Sequence, residues 1–219
     1  DAYDSFGGKM NSELKRKLAP ALQSEIEAYS GICRFPIKGE LWEELTVNAL
    51  ENIGVDTDWD PGSHSPGADI WLSTINKGIS SKSGKITYAK TIGRRELSIS
   101  SYRTTRMKTL KEKIDFFDGE GKNFESYMVL AREEDEEGEK RIYRVLLIDA
   151  KKVNAGDVRW RKNINRKSKK MTGWEGESEK SGIKMKIQKS MSDQFWIYLD
   201  LNKFDGCDVL FETSIPYDK

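Results

Sequence analysis

The chain has few of the residues that build disulfide frameworks, zinc sites and nucleophilic triads. Its 219 residues include two cysteines, Cys33 and Cys207, and a single histidine, His64. Two cysteines do not form a disulfide framework, so we expect a reducing cytoplasm. One histidine and two distant cysteines do not supply the ligands of a zinc nuclease. No nucleophile-elbow spacing is present, which disfavours a serine or cysteine hydrolase.

Long hydrophobic runs and a strong net charge are also missing. No apolar run approaches the roughly 18 residues that a membrane span requires. The first ten residues, DAYDSFGGKM, lack the apolar core of a secretory signal. We therefore expect a cytoplasmic protein with no membrane partner. The formal net charge of +1 argues against a protein that coats nucleic acid by bulk attraction.

The charges that are present are unevenly distributed. Residues 132–139, REEDEEGE, are almost all acidic. Between Asp157 and Glu175 the chain has no acid, and its basic residues there are Arg159, Arg161, Lys162, Arg166, Lys167, Lys169 and Lys170. Phosphates attract this basic segment, so it is a candidate for DNA binding. The alternative interpretation is a solvated loop.

The spacing of apolar residues predicts a mixed α/β fold in one domain of residues 1–219. Helical spacing predicts helices at residues 10–31, 38–54 and 104–117. Short apolar runs predict strands at residues 68–74, 78–84, 94–102, 126–132, 143–150, 183–190 and 194–201. This order predicts a mixed central β-sheet flanked by helices, with no linker that divides it.

A lone acid and a lysine lie on neighbouring predicted strands. Asp69 begins the first strand, and alternation places Ser80 and Lys82 on one face of the next. Metal-assisted phosphodiester hydrolysis needs at least a carboxylate that binds a divalent cation and, beside it, a lysine that polarises water. The alternative interpretation is an aspartate at a strand start and a solvated lysine.

The order of these features resembles the core of the PD-(D/E)xK nucleases, and type II restriction endonucleases in particular. The features are a helix, a loop, GAD at residues 67–69 and a hairpin that ends in Lys82; the helix has Gly39, Glu43, Val47, Leu50 and Gly54. The resemblance covers residues 38–103. It implies a restriction-endonuclease-like core and a prokaryotic, Mg²⁺-dependent enzyme that cuts double-stranded DNA at specific sequences and leaves 5′-phosphate ends. It implies no small-molecule cofactor beyond the metal.

Ser80 occupies the position where this family usually has its second acid. Some restriction enzymes of the superfamily have serine there and use a glutamate about fourteen residues beyond the lysine. That position here is Glu96. The alternative source is Glu43 or Glu44 on the preceding helix, and the spacing within that helix favours Glu43.

The resemblance also implies a role for each residue of the site. Asp69 with Glu43 or Glu96 would bind Mg²⁺, and Lys82 would orient or help deprotonate the attacking water. Ser80 would hydrogen-bond a water molecule of the metal shell. His64, five residues before Asp69, is a candidate for contact with phosphate, although a lone loop histidine is more often structural.

Two stretches offer groups that reach base edges and phosphates. Residues 98–106, SISSYRTTR, contribute Tyr102, Arg103 and Arg106, and residues 157–194 include the basic segment. One active site per chain cuts two strands most easily as a two-fold dimer on a palindromic site. We therefore expect a homodimer on DNA.

Two other functions remain open from the sequence. One is a nuclease fold that has lost catalysis and only binds DNA, in which Ser80 is a relic. The other is a repair nuclease that recognises DNA structure rather than sequence. Digestion of plasmid DNA with Mg²⁺ separates all three.

Overall fold

The computed structural model describes residues 10–61, 67–89 and 93–217. Its α-helices are α1 (Ser12–Ile32), α2 (Gly39–Asn52) and α3 (Leu110–Asp118). Its strands are β1 (Thr57–Asp58), β2 (Ile70–Leu72), β3 (Lys77–Ala89), β4 (Arg94–Arg103), β5 (Ser126–Asp135), β6 (Lys140–Asp149), β7 (Arg159–Ile164), β8 (Met171–Ser178), β9 (Ile183–Gln188), β10 (Gln194–Asp200) and β11 (Cys207–Pro216). No helix within the described ranges is long and apolar enough to cross a membrane.

These strands form one sheet in the order β11-β6-β5-β3-β4-β10-β9-β8-β7, and β2 and β1 extend from β3. The pair β3 and β5 is parallel, whereas β3 and β4 are antiparallel. The predicted α/β fold with a mixed central sheet is therefore confirmed.

Helices cover both faces of this sheet because residues of β5 alternate between two cores. Met128 and Leu130 face the core formed by α1 and α2, and Val129 faces the core that contains α3. The stripe of α1 that is buried consists of Leu14, Leu18, Leu22 and Ile26. On the other face, Phe117 of α3 stacks on Phe195 of β10, with ring centroids 4.4 Å apart.

One edge of β3 changes partner halfway along the strand. β2 pairs with β3 as far as Ile79, and β4 pairs with it from Gly84 onward. On its other edge, β3 pairs with β5 from Ile79 to Lys85. The sheet is therefore forked beside residues 80–83, and Lys82 lies in the fork.

The two ends of the sheet carry turns of opposite charge. The fork lies near the start of β5, because Ile79 pairs with Ser126. The acidic turn between β5 and β6 lies at the far end, where Asp135 pairs with Lys140. The basic segment forms the hairpin β7–β8, whose loop at residues 165–170 lies at the same end as the fork.

One helix and four strands differ from the sequence expectation. The helix predicted at residues 104–117 begins at Leu110, because Thr109 caps it. Thr109 Oγ1 accepts a hydrogen bond from Glu112 N at 3.2 Å, and Glu112 Oε2 accepts one from Thr109 N at 3.1 Å. The strands β1, β7, β8 and β11 were not predicted, and most of β7 is exposed.

Candidate active site

A cleft of about 790 Å³ opens at the fork in the sheet. Its walls come from α2, β3, β4, the loop after β4, α3 and the start of β10. This cleft is lined by seven of the site residues that were predicted from the sequence: Glu43, Asp69, Ser80, Lys82, Tyr102, Arg103 and Arg106. The structure therefore brings one helix and two strands of the predicted core to a single cavity.

Asp69, Ser80 and Lys82 form a connected group inside this cleft. Lys82 Nζ donates to Asp69 Oδ2 at 2.6 Å, and Ser80 Oγ donates to the same oxygen at 2.9 Å. Asp69 and Lys82 are largely buried, with 13 % and 20 % of their side chains exposed. The burial strengthens this ion pair relative to one in open solvent.

The backbone just before β2 holds Asp69 in place. Asp69 N donates to Ile79 O at 2.9 Å, and Ala68 N donates to the side-chain oxygen of Asn123 at 2.6 Å. Gly67 has φ +111°, and a Cβ there would overlap the Asn123 side chain. Only glycine fits this close approach without strain. Asn123 is a supporting residue that the sequence pattern did not indicate.

Glu43 enters the same cleft from α2. Burial and then the negative charge of Asp69 raise the pKa of Glu43, while a hydrogen bond from Trp59 and the charge of Lys82 act in the opposite direction. Trp59 Nε1 donates to Glu43 Oε2 at 3.5 Å. The neighbouring Glu44 is exposed and is not part of the cleft lining. Of the two helical glutamates, the structure brings Glu43 to Asp69.

A second pocket of about 230 Å³ shares Glu43 and Asp69 with the main cleft and adds Asp58 and Asp60. Within residues 10–61, 67–89 and 93–217, no three or more His, Cys, Asp or Glu side chains are grouped so as to hold a metal ion. Mg²⁺ keeps several waters and commonly takes one or two protein carboxylates. Asp69 and Glu43, which line the same cleft, have oxygen donors of the kind that Mg²⁺ takes.

The structure does not bring Glu96 to this site, which corrects one of the two sources expected for the second acid. Its neighbour Leu97 is buried in the core beside Ile86, so alternation turns Glu96 to the opposite face of β4. There Glu96 pairs with Arg94 at 2.8 Å. It also lies level with Thr87, five residues beyond Lys82 along β3.

The loop after β4 carries Arg106 into the cleft and is fastened by a buried lysine. Lys113 of α3 is 1 % exposed. Its Nζ donates to Thr104 O at 2.5 Å, to Met107 O at 2.7 Å and to Asp193 Oδ2 at 2.9 Å. This contact joins the loop to the turn that precedes Gln194, another lining residue. Lys113 is one of two lysines on an amphipathic helix, and the sequence gave no sign of this role.

The basic segment lies outside the cleft, on the outermost hairpin of the sheet. All seven of its basic residues are exposed in β7 or its loop, and Arg161 pairs with Glu175 at 2.9 Å. His64 lies outside the described residues. The predicted site thus divides into a group in the cleft, a separate basic hairpin and Glu96 on the opposite face.

Comparison with known proteins found no family model, no curated protein and no solved structure that matches this chain.

Proposed function

We propose that this protein is a Mg²⁺-dependent endonuclease that cuts double-stranded DNA at specific sequences, in the manner of type II restriction enzymes. One observation carries the proposal: Asp69, Lys82, Ser80 and Glu43 line one cleft at a fork in a mixed sheet. Two carboxylates beside a lysine match the chemical needs of phosphodiester hydrolysis. The resemblance to the PD-(D/E)xK core adds the expectation of 5′-phosphate ends and of a prokaryotic cytoplasmic enzyme.

Each side chain has a role in this proposal. Bound Mg²⁺, held by Asp69 and Glu43, would polarise the scissile phosphate as a Lewis acid. Lys82 orients the attacking water and stabilises the negative charge that develops on the phosphate. Ser80 fixes the Asp69 carboxylate through its hydrogen bond. Arg103 and Arg106 face the substrate from the other wall of the cleft and supply donors for phosphates and guanine edges.

The first test is digestion of plasmid DNA with and without Mg²⁺, followed by sequencing of the ends. We expect discrete fragments with one recurrent end sequence. Fragments with unrelated ends would point to a nuclease that recognises DNA structure. Binding of DNA without cleavage in Mg²⁺ would point to an inactive DNA-binding module.

The second test assigns the cleavage to the cleft. Asp69→Asn and Lys82→Ala should each lower the cleavage rate on the order of a thousandfold, because a metal ligand or a charge stabiliser is lost. Matched controls are Asp115→Asn and Lys111→Ala, which change an exposed Asp–Lys pair on α3. These should cleave like the wild type. Near-normal cleavage by either cleft variant would remove the proposed site.

A further inference from the structure

A line of paired residues crosses the sheet from the cleft to the hairpin β7–β8. Arg103 at the end of β4 pairs with Gln194 of β10, which pairs with Gln188 of β9. Gln188 pairs with Gly173 of β8, and Gly173 pairs with Asn163 of β7. Arg103 and Gln194 line the cleft. The cleft and the hairpin loop therefore lie level with each other at the same end of the sheet.

We propose that this line, here named the strand-end track, is the surface along which one DNA duplex lies. The duplex would have one phosphate group in the cleft and a more distant stretch of backbone at the hairpin loop. This inference rests on the proposed nuclease function, since that function puts the scissile phosphate in the cleft.

The length of the track fits several base pairs of B-form DNA. Four strand-to-strand steps separate β4 from β7, and at about 4.8 Å per step they amount to about 19 Å. Successive phosphates along one strand are about 3.4 Å apart in the axial direction, so about six base-pair steps cover this distance. The hairpin would therefore contact phosphates about six base pairs from the phosphate in the cleft.

The hairpin loop has the charge and the order that backbone contacts need. Residues 165–170 include Arg166, Lys167, Lys169 and Lys170, all exposed. Asn165 fixes the loop, since its side-chain oxygen accepts hydrogen bonds from Lys167 N and Ser168 N at 2.9 Å each. Basic side chains held in a defined turn at a fixed distance from the cleft suit a stiff duplex, whose phosphates are at fixed spacing.

Side chains between the two ends of the track suit DNA as well. Gln188 is an amide of the kind that reads adenine in the major groove, and the exposed Lys189 follows it. The acidic turn between β5 and β6 lies at the far end of the sheet, away from the track. A duplex on the track therefore avoids the most acidic part of the chain.

The test measures how binding depends on duplex length. Duplexes of about 4, 8, 12 and 16 base pairs, closed at one end by a loop, would be titrated in EDTA against the full chain. The hairpin variant replaces Lys167, Lys169 and Lys170 with Ala. The control variant replaces Lys140, Lys180 and Lys203 with Ala; Lys140 begins β6, Lys180 and Lys203 lie in turns, and all three are at the opposite end of the sheet. Both variants lose the same number of positive charges.

On the long duplexes, the wild type should make three more phosphate contacts than the hairpin variant. When salt rises from about 50 to about 200 mM, the affinity of the wild type for DNA should therefore fall about 40-fold more than that of the hairpin variant. On the duplex of about 4 base pairs, wild type and hairpin variant should bind alike, because that duplex is too short to reach the loop. The control variant should follow the wild type at every length.

Three outcomes would overturn the inference. The first is that the hairpin variant loses the same share of its DNA affinity at every duplex length, and the second is that it loses none at any length. The third is that single-stranded DNA shows the same length dependence as duplex DNA. Cleavage is scored separately with Mg²⁺. A length dependence without cleavage would support the strand-end track and contradict the nuclease function. Cleavage without the length dependence would support the nuclease function and contradict the strand-end track.

Discussion

Glu43 is held in the folded protein at a cost to stability. Burial and the charge of Asp69 raise its pKa. A carboxyl with a raised folded-state pKa binds its proton more tightly after folding. The ionised form of Glu43 therefore lowers the free energy of unfolding. This loss is complete once the pH exceeds the raised pKa, and it disappears below the ordinary pKa of 4.5. A divalent cation between Glu43 and Asp69 would relieve this penalty.

We expect Glu43→Gln to raise the melting temperature of the metal-free protein at mildly alkaline pH, with a gain that shrinks as the pH falls toward 4.5. Glutamine removes the charge and keeps an oxygen that accepts from Trp59 Nε1. Thermal unfolding in EDTA across a pH series measures the gain. Added Mg²⁺ should stabilise the wild type more than the variant.

The exposed neighbour supplies the control for this prediction. Glu44→Gln should change the melting temperature little at any pH, because Glu44 is in solvent. An equal gain in both variants would mean that the effect comes from net charge. A lower melting temperature of Glu43→Gln at alkaline pH would contradict the prediction.

At the residue scale, local alternation was enough to predict part of the site. Ser80 and Lys82 are two residues apart on one strand, so their common face followed from strand geometry. Glu96 was reached by counting residues beyond Lys82, and the count ignored that Leu97 must face the core. Asn123 belongs to a distant segment, and its contact with Ala68 depends on tertiary packing.

At the element scale, Lys113 decides how the loop after β4 is held. Lys113→Met keeps an unbranched apolar side chain close to the length of the lysine stem and removes the hydrogen bonds that Nζ donates to Thr104, Met107 and Asp193. We expect a loss of unfolding free energy on the order of 3 kcal/mol, because one partner of a buried ion pair is left without the other. Denaturant unfolding measures it.

The same variant has a functional signature. Since Arg106 lies on the fastened loop, the half-saturating DNA concentration should rise more than the maximal cleavage rate falls. Lys111→Met is the control, because Lys111 is exposed on the same helix and should change stability by no more than about 0.5 kcal/mol. Wild-type stability in Lys113→Met would show that the buried contact is dispensable.

Elements with a buried face were the ones that the sequence predicted. The helix α1 and the strands β5 and β6 have clear apolar spacing because each packs on a core. The strand β7 is almost entirely exposed, so it has no apolar alternation and was interpreted as a polar segment. Its pairing with β8 is set by backbone hydrogen bonds, which leave little trace in composition.

For the whole molecule, the number of chains on DNA follows from the number of sites. On the proposed function each cleft would cut one strand, so we expect two chains per duplex with two-fold symmetry. Light scattering of the Asp69→Asn variant with a duplex that contains the cleavage site measures the mass of the complex. One chain per duplex, together with nicked circles that accumulate before linear DNA, would indicate a monomer that cuts the strands in turn.

At the scale of the whole molecule, the fork in the sheet could not be predicted from the sequence. The predicted strands were right in kind, but the order in which they pair depends on contacts between residues far apart in the chain. The change of partner along β3 combines β2, β4 and the parallel β5. The charged segments were visible in the sequence, yet their positions at opposite ends follow from strand direction alone.

The two charged segments at those opposite ends contribute a permanent electric dipole along the strands. Residues 159–170 carry seven bases and no acid, whereas residues 132–141 carry six acids against three bases. Three unit charges of each sign separated by about 30 Å along the strand direction, the length of a ten-residue strand, contribute a component of roughly 400 debye along that direction, over a hundred times the moment of one peptide unit. If DNA is the partner, as proposed, the field of this polyanion would exert a torque on such a moment and turn the basic end of the protein toward the duplex. This rotation would raise the fraction of productive encounters and therefore the association rate, and it would weaken as salt shortens the Debye length.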